Sequence, residues 1–424
     1  MAPWAHGAAQ MSSALDARPG RVSETTDLVR WPAMAPPSPA PLRSALARLA
    51  FRRAARYSGI CVRLADGGSF GSPSGPVLEV LNPDAFFARL GRDGKIGFGE
   101  AYMAGDWDAP CVVDVLEAMA RHIDVLIPPA IQSVRRVFED RHPPDEENSL
   151  EGSRRNIARH YDLSNELFAS FLDESMTYSS ALFDSENETL TRAQERKIDR
   201  MLDSTRVGRG SRLLEIGTGW GGLALRAAQR GAQVTSVTLS EEQATLARRR
   251  VEAAGMTPRV DIRIEDYRDV TGQFDAVISV EMVEAVGERW WPQYFRTLDE
   301  RLAPTGRVGL QSILMEHDRL RATKSSWTWM HKYIFPGGLI PSEEAIRQVL
   351  AAHTGLQVVD QLRFGHSYAT TLRRWREQFD ARADVVERLG FDRTFRRMWD
   401  FYLAYSEAGF LSGYIDVAQL VLAR

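Results

Sequence analysis

The chain has 424 residues, 44% of them hydrophobic and 26% charged, with a formal net charge of −3. That composition describes an ordinary folded protein with room for about two to three domains, and it argues against a nucleic-acid partner gripped by whole-protein positive charge. Two scattered cysteines, Cys61 and Cys111, exclude a disulfide framework or a zinc site as the organising feature, and no apolar run reaches the roughly 20 residues of a membrane span, so a cytoplasmic protein is expected.

Residues 1–40, ending in "RWPAMAPPSPAPLR", are rich in Pro, Ala and Ser and read as a disordered arm. Next, Leu42, Leu46 and Leu49 recur at helical spacing among Arg43, Arg48, Arg52, Arg53 and Arg56. The pattern suits a core-packed helix with a solvated basic face as well as one that touches anionic lipid headgroups. From about 58 to 125, short apolar stretches broken by Gly, Pro and Asn predict a small α+β domain. This divides the chain into an arm (1–40), an N-terminal lipid-engaging domain (41–138), a Pro-containing linker (139–156) and a larger domain (157–424).

In the larger domain "RLLEIG" reads as a strand, "GTGWGG" as a turn, "LALRAAQRG" as a helix and "AQVTSVTLS" as the next strand. A right-handed βαβ crossover puts such a turn at the carboxyl end of a parallel sheet, where ligands bind. Gly217, Gly219 and Gly221 form G-x-G-x-G, a weak signal alone. Glu215 discriminates better: a carboxylate aimed into the turn repels a pyrophosphate but accepts hydrogen bonds from an ammonium group, as on the methionine end of S-adenosylmethionine (SAM). Gln243 is a neutral candidate for the ribose, and two further strands end at Glu265–Asp266 and at Glu281. Any one of these carboxylates could simply cap a helix, but strand ends with polar residues repeated along one series favour a cofactor crevice.

"ARHYDLSNELFASFLDESMTYSSALF" (158–183), "LLEIGTGWGGLA", "VTLSEEQ", "EDYRD", "VEMVEAVG" and "HKYIFPGGLIPS" (331–342), in this order, resemble the cyclopropane-fatty-acyl-phospholipid synthase family. Within it the chain looks most like the actinobacterial branch that methylates oleoyl chains, the tuberculostearic acid methyltransferases. The resemblance implies an α/β, Rossmann-like class I SAM-dependent methyltransferase fold with a small α+β N-terminal domain. It implies a SAM site lined by Tyr178, Ser179, Leu214, Glu215, Ile216, Gly217, Thr218, Gly219, Trp220, Gly221 and Gly222, with Thr238, Leu239, Ser240 and Gln243 on the ribose side and Ile264 and Glu265 at the adenine. Trp220 reads equally as a ring beside SAM or as a plug beneath the turn. No metal is expected.

The implied reaction is methyl transfer to the cis double bond of an unsaturated phospholipid acyl chain at the membrane surface, through a carbocation that needs a negative or π-rich wall and a base. In the family that base is a bound bicarbonate. The matching positions here are Glu284, Tyr368, the backbone of Ile313, and three departures: Ser180 for a cysteine, Gln311 for a histidine, and Ser406 for a C-terminal cysteine. Gln311 cannot carry an imidazolium charge, which weakens the case for bicarbonate and points to a 10-methylene or methyl-branched product. The alternatives are the cyclopropane ring, a small-molecule N-methyltransferase, and a non-catalytic SAM- or lipid-binding protein. Trp327, Trp329, Tyr333 and Phe335 are candidates for an acyl-channel wall, closed by the segment "MWDFYLAYSEAGF". The expected setting is the inner face of the cell membrane, held peripherally, with a separate reductase and a homodimer left open.

Overall fold

A computed structural model describes residues 26–123, 164–185 and 187–424. Residues 1–25 of the expected arm, 124–138 of the expected N-terminal domain, the expected linker 139–156 and residues 157–163 lie outside the described residues.

The N-terminal part builds a four-stranded sheet from β1 (Cys61–Leu64), β2 (Ser69–Gly71), β3 (Val77–Val80) and β4 (Trp107–Asp108), in the order β2-β1-β3-β4. Only β1 and β3 run parallel. Helices Pro41–Ser58, Pro83–Ala104 and Val112–Arg121 accompany it. The second of these starts where it does because Asn82 caps it through the Ala85 N–H and Pro83 presets the first turn. It stops at Gly105, whose φ of 78° ends the helical path.

The apolar side chains of these elements do not form a core of their own. One continuous cluster runs from Phe51, Phe86 and Phe98 through Trp107 to Phe401 and Trp399 of the C-terminal helix Arg393–Leu411. Phe98 stacks on Trp107 at 4.7 Å and Tyr102 packs against Phe401 at 5.4 Å. Each large aromatic fully buried in this way contributes about 1.5–3 kcal/mol. The N-terminal unit is therefore wedded to the helix expected to close the acyl channel.

One expectation is corrected here. Residues 31–35 belong to no loose arm: Pro32–Met34 forms a short 3-10 turn, Met34 is buried, and the Trp31 indole donates to Asp392 at 2.7 Å. The cause is Arg89. Its buried guanidinium pairs with Asp106 at 2.9 Å and donates to the carbonyls of Ala33, Met34 and Ala35, satisfying backbone groups that composition alone leaves exposed. Arg89→Met strands those carbonyls and a buried carboxylate, so we expect a loss of about 3–5 kcal/mol, read as a lower thermal midpoint with faster amide hydrogen exchange around Met34.

For helix Pro41–Ser58 the structure decides between the two readings left open. Its inward face is Ala47, Phe51, Ala55 and Ser58, whereas Leu42, Leu46 and Leu49 are 74%, 59% and 68% exposed. Small and aromatic residues fit the close approach to helix Pro83–Ala104, where Gly91 lies against the Arg43 carbonyl, and the leucines are left facing outward.

The larger sheet has seven strands: β5 (Arg212–Ile216), β6 (Gln233–Thr238), β7 (Val260–Ile264), β8 (Phe274–Val280), β9 (Leu302–Met315), β10 (Gln357–Arg363) and β11 (Ile415–Ala423). Their order is β10-β11-β9-β8-β5-β6-β7, parallel from β7 to β9, with β11 antiparallel to both its neighbours. Helices cover both faces, as near-continuous apolar strands require. This is the α/β, Rossmann-like class I methyltransferase arrangement expected from the sequence. The strand order reverses beside β5, so the crevice opens above the carboxyl ends of β5 and β8.

Candidate active site

The chain leaves β5 at Ile216 and turns on Gly217 and Gly219, with φ of 95° and 50°. A Cβ on Gly217 would lie 2.7 Å from Met282 Sδ, so the close approach of the two loops demands glycine. A Cβ on Gly219 would meet nothing within 4 Å, so the turn faces open space there. The N–H groups of Gly217 and Thr218 bond to the Val237 carbonyl and tie the turn to β6. Gly221 (φ 85°) and Gly222 start helix Gly222–Gln229.

Glu215 is buried at the end of β5 and accepts from Ser236 Oγ, while Leu214 and Ile216 beside it fill the core. Ser236 Oγ and Thr218 Oγ1, 2.8 Å apart, extend this hydrogen-bonded chain to the turn. Burial pushes the Glu215 carboxyl up to about 8, against the Ser236 hydrogen bond and the charge of Lys197.

After β6, Thr238 donates to Gln243 Oε1 at 3.2 Å, Ser240 caps the next helix through the Gln243 N–H, and Leu239 between them is half-buried. Past β7, Ile264 is 46% exposed and the Glu265 N–H returns to the Thr238 carbonyl at 3.1 Å. An acid beneath the turn, a turn that needs no side chain at Gly219, and an uncovered apolar side chain at the β7 end fit a cationic donor carrying a flat base. The Trp220 indole is buried, packs on Phe168 at 4.9 Å and donates to Asn165 Oδ1 at 2.6 Å, which favours the plug over a ring lying beside the cofactor.

Immediately beyond β8 the chain makes a second tight feature. Glu281 has φ of 54°, a left-handed conformation that costs a non-glycine residue about 1–3 kcal/mol. The turn points its carboxylate at three of the positions expected to hold bicarbonate. Oε1 accepts from the Ser180 N–H at 3.0 Å and Gln311 Nε2 at 2.8 Å, and Oε2 accepts from the Tyr368 hydroxyl at 2.6 Å. Gln311 is itself fixed by Gln419, 3.1 Å away, and Tyr368 by stacking on Phe410 at 4.4 Å. Burial raises the Glu281 carboxyl above its usual range, and these three hydrogen bonds and the charge of Lys197 oppose the rise.

Glu284, one turn later on the short helix Val283–Val286, is anchored separately. Its Oε1 accepts from the Ile313 N–H at 2.5 Å, with Ser312 Oγ at 3.0 Å. Its Oε2 is buried with no hydrogen-bond partner among the described residues. Burial, then the like charge of Glu281, pushes Glu284 up to about 8. Both glutamates are half-buried, just past the carboxyl end of β8, where the crevice of such a sheet opens.

The expected bicarbonate does not fit this set. The donors of Ser180, Gln311 and Tyr368 are already used by Glu281, the Ser180 hydroxyl turns to the Ala181 carbonyl at 2.9 Å, and the Ile313 N–H belongs to Glu284. Ser406 makes no hydrogen bond to this cluster; it lies one turn from Tyr402 and one from Phe410 on helix Arg393–Leu411.

Two participants escaped the sequence reading. Glu281 was read as one of the strand-end carboxylates that favour a cofactor crevice, with no part in the anion site, and the available signal was a second acid three residues before Glu284, coinciding with the loss of the cysteine and histidine. Lys197, in the helix Leu190–Ser204, carried no signal. It is buried, donates to Ser179 Oγ at 2.7 Å, and burial lowers its ammonium to about 8 against the pull of Glu281, Asp173 and Glu215.

Around the crevice lies an aromatic wall. Tyr178 shares a 2.8 Å hydrogen bond with Tyr402 and packs on Trp375, and Phe335 packs on Tyr402 at 5.8 Å. Of the other candidates for the acyl wall, Trp329 is buried against Phe401 and Met103, and Tyr333 donates to Glu100 at 2.8 Å, so both are structural. Phe335 and Trp327 are half-buried.

Comparison with known proteins places this geometry. Residues 148–420 match the family model for mycolic acid cyclopropane synthetase. The chain is 50% identical over 414 residues to the tuberculostearic acid methyltransferase UfaA1 of Mycobacterium tuberculosis, covering 95% of this chain and 97% of that protein. It is 33% identical to the cyclopropane-fatty-acyl-phospholipid synthase of Escherichia coli K12, over 82% of this chain and 87% of the other. Among solved structures, the mycolic acid cyclopropane synthase CmaA1 complexed with SAH and CTAB superposes with a TM-score of 0.59 at 27% identity, covering 64% of this chain and 98% of that one.

Proposed function

The chain belongs to the mycolic acid cyclopropane synthetase family, and from that premise we propose that it methylates the cis double bond of oleoyl-type phospholipid acyl chains, giving a 10-methylene or methyl-branched acid. The observation that carries the reading is contiguity. Gly217 of the turn that would hold SAM lies against Met282, which sits in sequence between the two carboxylates, so the cofactor turn and the acid pair adjoin. SAM supplies an electrophilic methyl group when bound. Glu215 receives its ammonium end, Thr238 and Gln243 its ribose, and Ile264 its adenine. Tyr178, Ser179, Glu265 and the turn from Leu214 to Gly222 complete the site.

An isolated alkene is a weak nucleophile, so the chain's task is to hold it dry and in line. Tyr178, Tyr402 and Phe335 form an apolar wall whose π faces temper a cation on the acyl chain. The name of the relative matched at 50% identity supports the branched product over a ring. A methylene product would need a separate reductase to become a saturated branch.

The N-terminal unit brings the lipid. Among the described residues no helix is long and apolar enough to cross a membrane. Helix Pro41–Ser58 instead exposes Leu42, Leu46 and Leu49 with Arg43, Arg53 and Arg56, a combination suited to lying in an anionic headgroup layer at the cytoplasmic face. We expect a Leu46→Asp/Leu49→Asp double variant to bind vesicles containing phosphatidylglycerol at least about tenfold more weakly by flotation, with an unchanged thermal midpoint because neither side chain is packed.

The function is tested with purified protein, SAM and dioleoyl phosphatidylglycerol vesicles, analysing the acids by gas chromatography and mass spectrometry. A gain of one CH2 with a retained double bond is expected. A cyclopropane acid would replace the branched reading, and methylation of small amines without lipid would replace the substrate class.

A further inference from the structure

We propose that Glu281 is this enzyme's built-in anion: it fills the site that its relatives' fold would offer to bicarbonate, and it accepts the proton released from the methylated acyl chain. The inference rests on the methyl-transfer reading above and goes beyond it.

The hydrogen-bond geometry argues for replacement rather than coincidence. An oxyanion held in this pocket would draw on the Ser180 backbone, residue 311 and Tyr368, and all three already converge on the two oxygens of Glu281 at 2.6–3.0 Å. Residue 281 presents the side chain there from a left-handed conformation, which a non-glycine residue adopts at a cost. The neighbouring side chains suit this. Where an imidazolium would balance a free anion, Gln311 offers a neutral amide to a carboxylate that is already tethered, and the compensating positive charge comes from buried Lys197. Glu284, whose Oε1 is occupied by Ile313, holds no comparable donor set.

The step balances without a further reagent. As the alkene π pair forms the new C–C bond to the methyl carbon, the sulfonium S–CH3 bond breaks with its electron pair left on sulfur, and the neighbouring chain carbon becomes cationic. A 1,2-hydride shift moves the cation onto the methylated carbon; a C–H bond of the new methyl then breaks, its electron pair closes the new C=C bond, and its proton moves to a Glu281 oxygen. Neutral Glu281 then returns the proton to solvent as product leaves.

Three arms test it. In CO2-free buffer the wild-type rate is expected to be unchanged, with no gain on adding bicarbonate, and Glu281→Gln is expected to lose about 10²–10⁴-fold in turnover with SAM affinity by calorimetry within about threefold of wild type. The third arm does not depend on activity: 13C-bicarbonate should show no specific NMR line broadening with wild type and saturable broadening with Glu281→Gly, whose empty pocket restores an anion site. A wild-type rate that falls without bicarbonate and recovers with it, specific bicarbonate binding to wild type, or turnover of Glu281→Gln within threefold of wild type would each overturn the proposal. If Glu281→Gly fails to fold, the wild-type and Glu281→Gln arms still decide. Absence of any wild-type methyl transfer to lipid would instead remove the underlying reading, and the wild-type NMR arm would still report on the pocket.

Discussion

A Glu284→Ala variant is expected to lose about 10²–10³-fold in methyl transfer, and Glu284→Gln no more than about tenfold. The difference follows from the proton that Glu284 holds. Burial and then the neighbouring Glu281 charge raise its carboxyl to about 8, so at pH 7 it is mostly neutral. A neutral amide copies its size and leaves an oxygen for the Ile313 N–H and Ser312 Oγ. Alanine removes that oxygen, orphans a buried N–H and lets the β9 backbone drift beside the reacting carbons. Two carboxylates pushed apart by their surroundings, one carrying three donors and the other carrying a proton, form a pair in which the roles are distinct.

The same shift fixes a stability trend. A carboxyl raised in the folded state contributes stability that is fully present below its unfolded value near 4.5 and is lost as pH rises through about 8. Glu284→Gln should flatten that decline in thermal midpoint between pH 5 and 8. Single-turnover rates at pH 7 check the activity pattern, and equal damage from Gln and Ala would mean that Glu284 works as a charged group.

How much of this was legible depends on the range of the interactions. The strand, glycine turn and helix from Arg212 to Gln229 are written locally, in apolar runs and in glycines at the bend, and the sheet follows from that periodicity. Glu284, Tyr368, Gln311, Ser180 and Ile313 were nameable through resemblance, and the fold does bring them into one small region. What they bind there was not nameable. The tethering of Ser180 to Glu281 spans 101 residues and that of Tyr368 spans 87, and no local pattern encodes such a meeting. Helix Pro41–Ser58 was legible as a helix, but which way its leucines face was left open for a different reason. Leucines at helical spacing mark one face, but whether that face looks inward depends on whether small residues elsewhere allow a closer contact, as Ala47 and Ala55 do. Residues 31–35 depended on one distant arginine, Arg89.

SAM affinity is expected to rise on the order of 20-fold from pH 6 to pH 8 and to fall again above it. The acid limb comes from Glu215. Burial raises its carboxyl to about 8, so in the free enzyme at pH 6 it is mostly protonated, and it must ionise before it can receive an ammonium group. Each unit below 8 therefore costs close to tenfold in the competent fraction. The alkaline limb comes from the ligand, since an α-amino group loses its own proton near 7.7–8.0. Ser236 and Lys197 oppose the rise at Glu215 and already favour its charged form, so binding needs no rearrangement beyond release of one proton. Glu215→Gln should bind SAM about 10–100-fold more weakly at pH 8, the value of a charge-assisted hydrogen bond, and should show no acid limb at all. Calorimetry in buffers of different ionisation enthalpy reads both quantities, because proton release near pH 7 appears as a buffer-dependent heat. An acid limb that persists in Glu215→Gln would move its origin to the crevice carboxylates Glu281 and Glu284, and a flat wild-type profile would mean that Glu215 is already ionised and serves the fold of the turn.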